Sequence, residues 1–347
     1  MQYSLKQYLL LAVFTFVLVG ALTPVMRRVA MRIGAFDAPN IPRKQHSQPV
    51  PYLGGIAIAL GILIASYGAL LYSDFSMRTF TLASSVLLPA MAMSIMGLID
   101  DFRGLEPWPR LVIQAASAFI VAVILISTNT IGTALNINFL DGLITIFWIV
   151  GVCNSINFFD NLDGGASGTV AIISFFTFLI AYNRGQILVS ALAIVTAGAT
   201  AGFLLWNRAP AKIYMGDAGA LFLGIIVAVL TIRLDPGMPS RTQSLAVPFL
   251  LMALPIMDTM VAVGSRLARG ISPFQGGRDH LSHRLIRLGL NREVTAILLW
   301  SAAAFFGLLS YLICIHPENL GYPLVFVGGL VWTSLLIFFC RVASEDK

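Results

Sequence analysis

The sequence predicts an all-α membrane protein, a polytopic bundle of about eleven spanning helices, and three observations carry that prediction. Hydrophobic residues make up 58% of the 347 and charged ones only 11%, against about 25% charged in a soluble domain. Apolar runs near 20 residues, the length a helix needs to cross about 30 Å of hydrocarbon, recur from end to end. Lysine and arginine, counted along alternating connections, collect on one side of those runs.

The runs place spans at 7–25, 53–72, 79–99, 110–128, 142–159, 165–182, 186–206, 217–233, 243–264, 294–315 and 322–340. The first, behind Lys6, has the look of a signal peptide, but many similar runs follow and it reads as a span. The second opens on Gly54-Gly55, which by itself reads as a turn after a proline-rich segment. The third ends on Asp100-Asp101, and the fifth runs into Asn154, Asn157, Asp160, Asn161 and Asp163. The eighth, short and started by Asp217, is the least secure, and the ninth carries Asp258 in its middle. No soluble domain fits between them, so residues 1–347 read as a single integral membrane domain. Cys153, Cys314 and Cys340 are far apart and read as small apolar residues rather than as a disulfide or zinc set.

Seventeen lysines and arginines fall on one side of the alternation and five on the other. That asymmetry predicts an outside N-terminus and a cytoplasmic C-terminus in a bacterial inner membrane. It also puts every polar motif on the cytoplasmic face: Asp37 to Gly55, Asp100-Asp101, the 153–165 stretch, Met215-Gly216-Asp217, and Asp279-His280-Leu-Ser-His283-Arg284.

Residues three and four apart share a helical face, so Asn157, Asp160 and Asn161 can point together, with Asn154 and Asp163 beside them. Amide and carboxylate oxygens at the edge of hydrocarbon are costly unless a cation sits among them. Two carboxylates at 100 and 101 run against both the dipole at a helix C-terminus and the cationic bias of inner loops. Asp217 reads equally as an N-cap or a metal ligand. Asp258 reads as a structural ion pair, with Arg266 two turns on as its partner. The loop from Arg266 to Arg292, with its histidines, has the chemistry to bind phosphate, although its charge also fits the ordinary inner-loop bias. The oxygen-rich neighbourhood favours Mg²⁺, or Mn²⁺, over a softer metal.

Taken together, five motifs resemble the polyprenyl-phosphate N-acetylhexosamine-1-phosphate transferases, the MraY/WecA family. They are D-x-P…R-K-x-H…P-x-P-x-x-G-G, G-L-I-D-D, N-x-x-N-x-x-D-x-x-D-G, M-G-D-x-G-x-x-x-L-G and the basic H-x-x-H-R loop. The resemblance covers nearly the whole chain. It implies transfer of a sugar-1-phosphate from a UDP-N-acetylhexosamine to a polyprenyl phosphate, with release of UMP and a need for Mg²⁺. By the same resemblance Asp217 and Asn157 would hold the metal, and Asp100 and Asp101 would lie beside the lipid phosphate, either one as base. Asp160 would serve the metal and diphosphate region, Asp163 and Tyr214 the uracil, and His280, His283 and Arg284 the diphosphate and sugar.

Ser282 stands where members of the family carry a histidine, and the Arg269-Gly-Ile-Ser-Pro-Phe surroundings resemble the WecA type. UDP-GlcNAc is therefore the first choice of donor, with UDP-MurNAc-pentapeptide as the alternative. A CDP-alcohol phosphotransferase would need D-G-x-x-A-R, whereas Asp163-Gly164 is followed by Gly165-Ala166-Ser167-Gly168. A proton-coupled transporter is the competing class, yet it would gather its polar groups at mid-membrane between repeats. Nothing points to nucleic acid as a partner, and a homodimer stays open.

Overall fold

The structure is a computed structural model that describes residues 3–37, 49–72, 76–132 and 135–342. Its helices are α1 (Leu5–Ile33), α2 (Gly54–Tyr72), α3 (Met77–Arg103), α4 (Pro107–Ser127), α5 (Asn138–Phe159), α6 (Gly165–Asn183) and α7 (Ile187–Asn207), followed by α8 (Gly216–Arg233), α9 (Arg241–Leu251), α10 (Ala253–Ala268), α11 (Leu281–Arg287), α12 (Arg292–Ile315) and α13 (Gly321–Arg341). One two-residue antiparallel pair, β1 (Phe36–Asp37) with β2 (Val50–Pro51), is the sole sheet among the described residues. Most of the entry segment of the first motif, including Arg43, Lys44 and His46, lies outside the described residues.

Among the described residues ten helices are long and apolar enough to cross a membrane, and α9 with α10, bent by 72° at their junction, brings the number to eleven if the pair counts as one span. The continuous span expected at 243–264 is thus two helices meeting at Met252. Pro255 gives the reason. Its ring has no N–H for the carbonyl of Leu251 and would collide with it, so α9 stops at Leu251, while proline is tolerated in the first turn of α10.

The short span expected at 217–233 is present as α8, which is the axis of the bundle, with 89% of its apolar window enclosed by protein. Small residues let neighbours close on it. A Cβ on Gly55 would sit 2.2 Å from the backbone nitrogen of Gly219, and one on Gly97 would sit 2.5 Å from the carbonyl of Asp217. Backbones therefore touch where α2 and α3 meet the start of α8. Gly54 and Gly55 also donate their N–H groups to the carbonyls of Tyr214 and Met215, at 3.0 and 2.9 Å. The glycine pair that reads as a turn is a docking surface for the helix that begins at residue 216.

Candidate active site

The end of the bundle where α3, α5 and α7 finish and α4, α6 and α8 begin holds the carboxylates. Asp101, in the last turn of α3, accepts hydrogen bonds from the backbone N–H groups of Asp217 at 2.9 Å and Ala218 at 3.2 Å. An acid is disfavoured at the C-terminus of its own helix, but here the same carboxylate caps the positive end of α8. That second helix offsets the cost of the first.

Asp100, 7% exposed, turns the other way. Its Oδ1 accepts the N–H of Leu105 at 2.6 Å, and its Oδ2 lies 2.8 Å from Nη1 of Arg110. The same guanidinium stands 3.3 Å from Asp217 Oδ2 and donates to Asn157 Oδ1 at 3.1 Å. Asn157 in turn donates to Asp217 Oδ1 at 2.8 Å. Four elements thus bring residues 100, 157 and 217 around one cationic centre, and the cation is arginine. Behind it Asn154 donates to Gln114 at 2.7 Å and holds α5 against α4.

Arg110 counts only toward the charge asymmetry when the sequence is read. Its signal was nonetheless present: a cation in the first turn of an apolar helix opposes the helix dipole and needs a compensating anion. Gln114, one turn further along α4, gave no such signal.

Asp160 lies just past the end of α5, partly buried. Desolvation, and then the negative charges of Asp217, Asp101 and Asp163, push its carboxyl from 3.8 up to about 8. Asp163 is buried, accepts the N–H of Ala211 at 3.0 Å and lies 3.9 Å from Arg292. It thereby braces the 208–214 segment, whose last residue, Tyr214, is partly buried and pairs its backbone N–H with the carbonyl of Pro51.

The histidine loop forms a separate buried network. Asp258 pairs with His280 and not with Arg266: its Oδ2 is 2.7 Å from His280 Nδ1, and its Oδ1 accepts the N–H of Leu281 at 2.7 Å. Arg266 stands 3.2 Å from His280 Nε2 and donates to Asp279 at 3.0 Å. Since arginine only donates, this arrangement puts the imidazole proton on Nδ1, facing Asp258. Arg284 is 2% exposed and donates to the carbonyls of Asp279, Phe339 and Val342. Its guanidinium ties α11 to the end of α13. His283 is partly buried, its ring 6.0 Å from that of His280. Ser282 joins the two clusters by donating to the side-chain carbonyl of Asn161.

Among the described residues no three histidine, cysteine, aspartate or glutamate side chains surround one ion position. The oxygen donors nevertheless fit a hard dication. Asp100 Oδ2 is buried, accepts no hydrogen bond among the described residues and lies against the charge of Arg110. Asp217 and Asn157 present further oxygens to the same centre.

Residues 83–235 match the family model "Glycosyl transferase family 4". A decaprenyl-phosphate N-acetylglucosaminephosphotransferase of Mycobacterium leprae is 30% identical over 92% of this chain and 87% of its own length. A probable undecaprenyl-phosphate N-acetylglucosaminyl 1-phosphate transferase of Bacillus subtilis is 28% identical over 92% of this chain and 85% of its own. A phospho-N-acetylmuramoyl-pentapeptide-transferase of Staphylococcus aureus is 28% identical over 89% of this chain and 99% of its own.

Proposed function

Since the chain belongs to glycosyl transferase family 4, the polyprenyl-phosphate N-acetylhexosamine-1-phosphate transferases, we propose that it moves a sugar-1-phosphate from a UDP-N-acetylhexosamine to a polyprenyl phosphate and releases UMP. UDP-GlcNAc is the proposed donor. Two relatives whose names specify N-acetylglucosamine align over 92% of the chain, in keeping with the WecA-type surroundings of Ser282. The cytoplasmic face is the proposed side of the site, on the strength of seventeen basic residues against five.

The observation that carries the reading is the convergence of Asp100, Asn157 and Asp217 on one cation-holding centre at the end of a membrane bundle. Both substrates are anions, so attack of one on the other meets like-charge repulsion that only fixed or bound cations relieve. Mg²⁺, with Mn²⁺ as a substitute, would be held by Asp217 and Asn157 and would screen the donor diphosphate and the leaving UMP. A phosphate monoester has a second pKa near 6, so the acceptor arrives largely ionised and needs orientation more than deprotonation. Asp101 has both oxygens committed to the backbone of α8, which leaves Asp100 as the group to position the lipid phosphate. Arg110 is the proposed partner of that phosphate or of the donor diphosphate once it leaves the carboxylates. Asp163 and Tyr214, the last residue of the segment that Asp163 braces, are proposed to receive the uracil, and Asp160 to serve the diphosphate region. His283, nearer the surface than His280, is the loop residue proposed to reach the sugar phosphate. His280 and Arg284 would act by holding that loop in place.

The test is a donor panel with purified protein, undecaprenyl phosphate and UMP release as the readout. Turnover with UDP-GlcNAc that stops with chelator and returns with Mg²⁺ is expected. Ion flux in liposomes without UDP-sugar turnover would replace the proposal with a transporter.

A further inference from the structure

At the opposite end of the bundle, α8 finishes on Arg233, a residue only 7% exposed. Among the described residues its one hydrogen bond runs from Nη1 to the carbonyl of Leu82, at 3.3 Å, and no carboxylate pairs with it. The carbonyl end of α8 offsets part of the charge. A buried guanidinium usually has a counter-ion as well, because its desolvation costs several kcal/mol.

Arg233 lines a cavity of about 300 Å³, room for on the order of ten waters, that opens on this face. The first turn of α7 lines the same cavity through Ile187, Leu188 and Val189. Their backbone N–H groups precede the first intrahelical bond, which runs from Ser190 to Gln186. Gln186, at the N-cap position, makes no side-chain cap, because its amide is spent on the backbone of Asp235 at both ends. Asp235 turns its own carboxylate to the N–H of Gly237, at 2.8 Å. Asp141, in the adjoining cavity, accepts the N–H groups of Leu135 and Ile137. Arg233 and the first turn of α7 therefore line one space; Asp235 lines it too, with one carboxylate oxygen committed to Gly237, and Asp141 beside it is held by Leu135 and Ile137.

We propose that this cavity is an anion site that takes a phosphate-type group, either as a free ion or as the headgroup of an anionic phospholipid. Several oxygens on one centre let a phosphate accept from the guanidinium fork and from a helix N-terminus together. The site is independent of the transferase reading and lies at the far end of α8 from the carboxylates.

The test uses the full chain in a neutral maltoside detergent and follows its apparent unfolding temperature. In one arm sodium phosphate replaces chloride at constant ionic strength; in the other, phosphatidylglycerol replaces phosphatidylcholine in the mixed micelle. A rise of about 2–4 °C at tenfold above half-saturation is expected in at least one arm. Arg233→Gln should abolish that rise and leave basal UMP release unchanged. Arg233→Lys keeps the charge without the fork, and a half-saturation point at least threefold higher is expected of it. It carries the test if the glutamine variant does not fold. A response to phosphate alone identifies a free anion, and a response confined to phosphatidylglycerol identifies a headgroup. No response in either arm, or an equal response in the variants, overturns the site.

Discussion

The Asp101 carboxylate holds the amide of Asp217 at 2.9 Å and so fixes where the helix carrying Asp217 begins. The adjacent Asp100 has an oxygen that accepts no hydrogen bond among the described residues. Neighbouring acids of one motif thus have different duties. Asp101→Asn keeps one accepting oxygen and turns an amide toward backbone N–H groups, a change worth about 1–3 kcal/mol when a buried donor is left unpaired. It should lower both thermal stability and UMP release. Asp100→Asn should lower turnover at least a hundredfold with little change in unfolding temperature. Equal stability losses in both variants would erase the distinction.

Arg110 occupies the place among Asp100, Asn157 and Asp217 that a dication would need. Arg110→Met should therefore bind Mn²⁺ about tenfold more tightly, equivalent to about 1.4 kcal/mol of relieved competition, while UMP release falls. Titration of Mn²⁺ by its paramagnetic signal would measure this without turnover. Unchanged or weaker Mn²⁺ binding would mean that arginine and metal do not compete.

Asp160, raised to about 8, holds its proton at neutral pH in the metal-free protein. The sign follows directly. Because the unfolded chain ionises near 3.8, this group's contribution to stability is full below that pH and is lost as the pH rises through about 8. Binding of a cation that needs the carboxylate should strengthen with pH up to about 8, by up to tenfold per unit. Asp160→Asn should flatten both profiles, as read by Mn²⁺ titration and thermal unfolding across pH 6 to 9.

Asp258 anchors His280 and the first residue of α11 from inside the bundle. Asp258→Asn keeps the shape but removes the charge that holds the imidazole, so the yield of folded protein and its unfolding temperature should fall. The half-saturating metal concentration of the surviving protein should stay within about twofold. A selective loss of metal affinity would move Asp258 into the site itself.

Much of this was legible in the chain because hydrocarbon imposes a length on every helix and a side on every arginine. Asp100, Asn157 and Asp217 could be assembled by counting spans, since alternation alone puts their turns at one end. The bend at Met252 escaped because the apolar run continues through it, although Pro255 marks the spot. The partner of Asp258 was misassigned for a different reason. Two turns along a helix put Arg266 on the same face, whereas the true partner, His280, returns from a loop 22 residues away. Arg110 was hidden by its own charge, which the positive-inside bias absorbs without further question.

Arg284 hooks the carbonyls of Phe339 and Val342, so the last turn of α13 is a brace for the short helix that also carries Ser282. The practical consequence concerns how the protein is handled. Cutting the chain ahead of Phe339, or fusing a rigid tag directly at Val342, would unseat α11. Ser282 would then lose its grip on Asn161, between Asp160 and Asp163, and a preparation could be inert although every residue of its reaction centre was present.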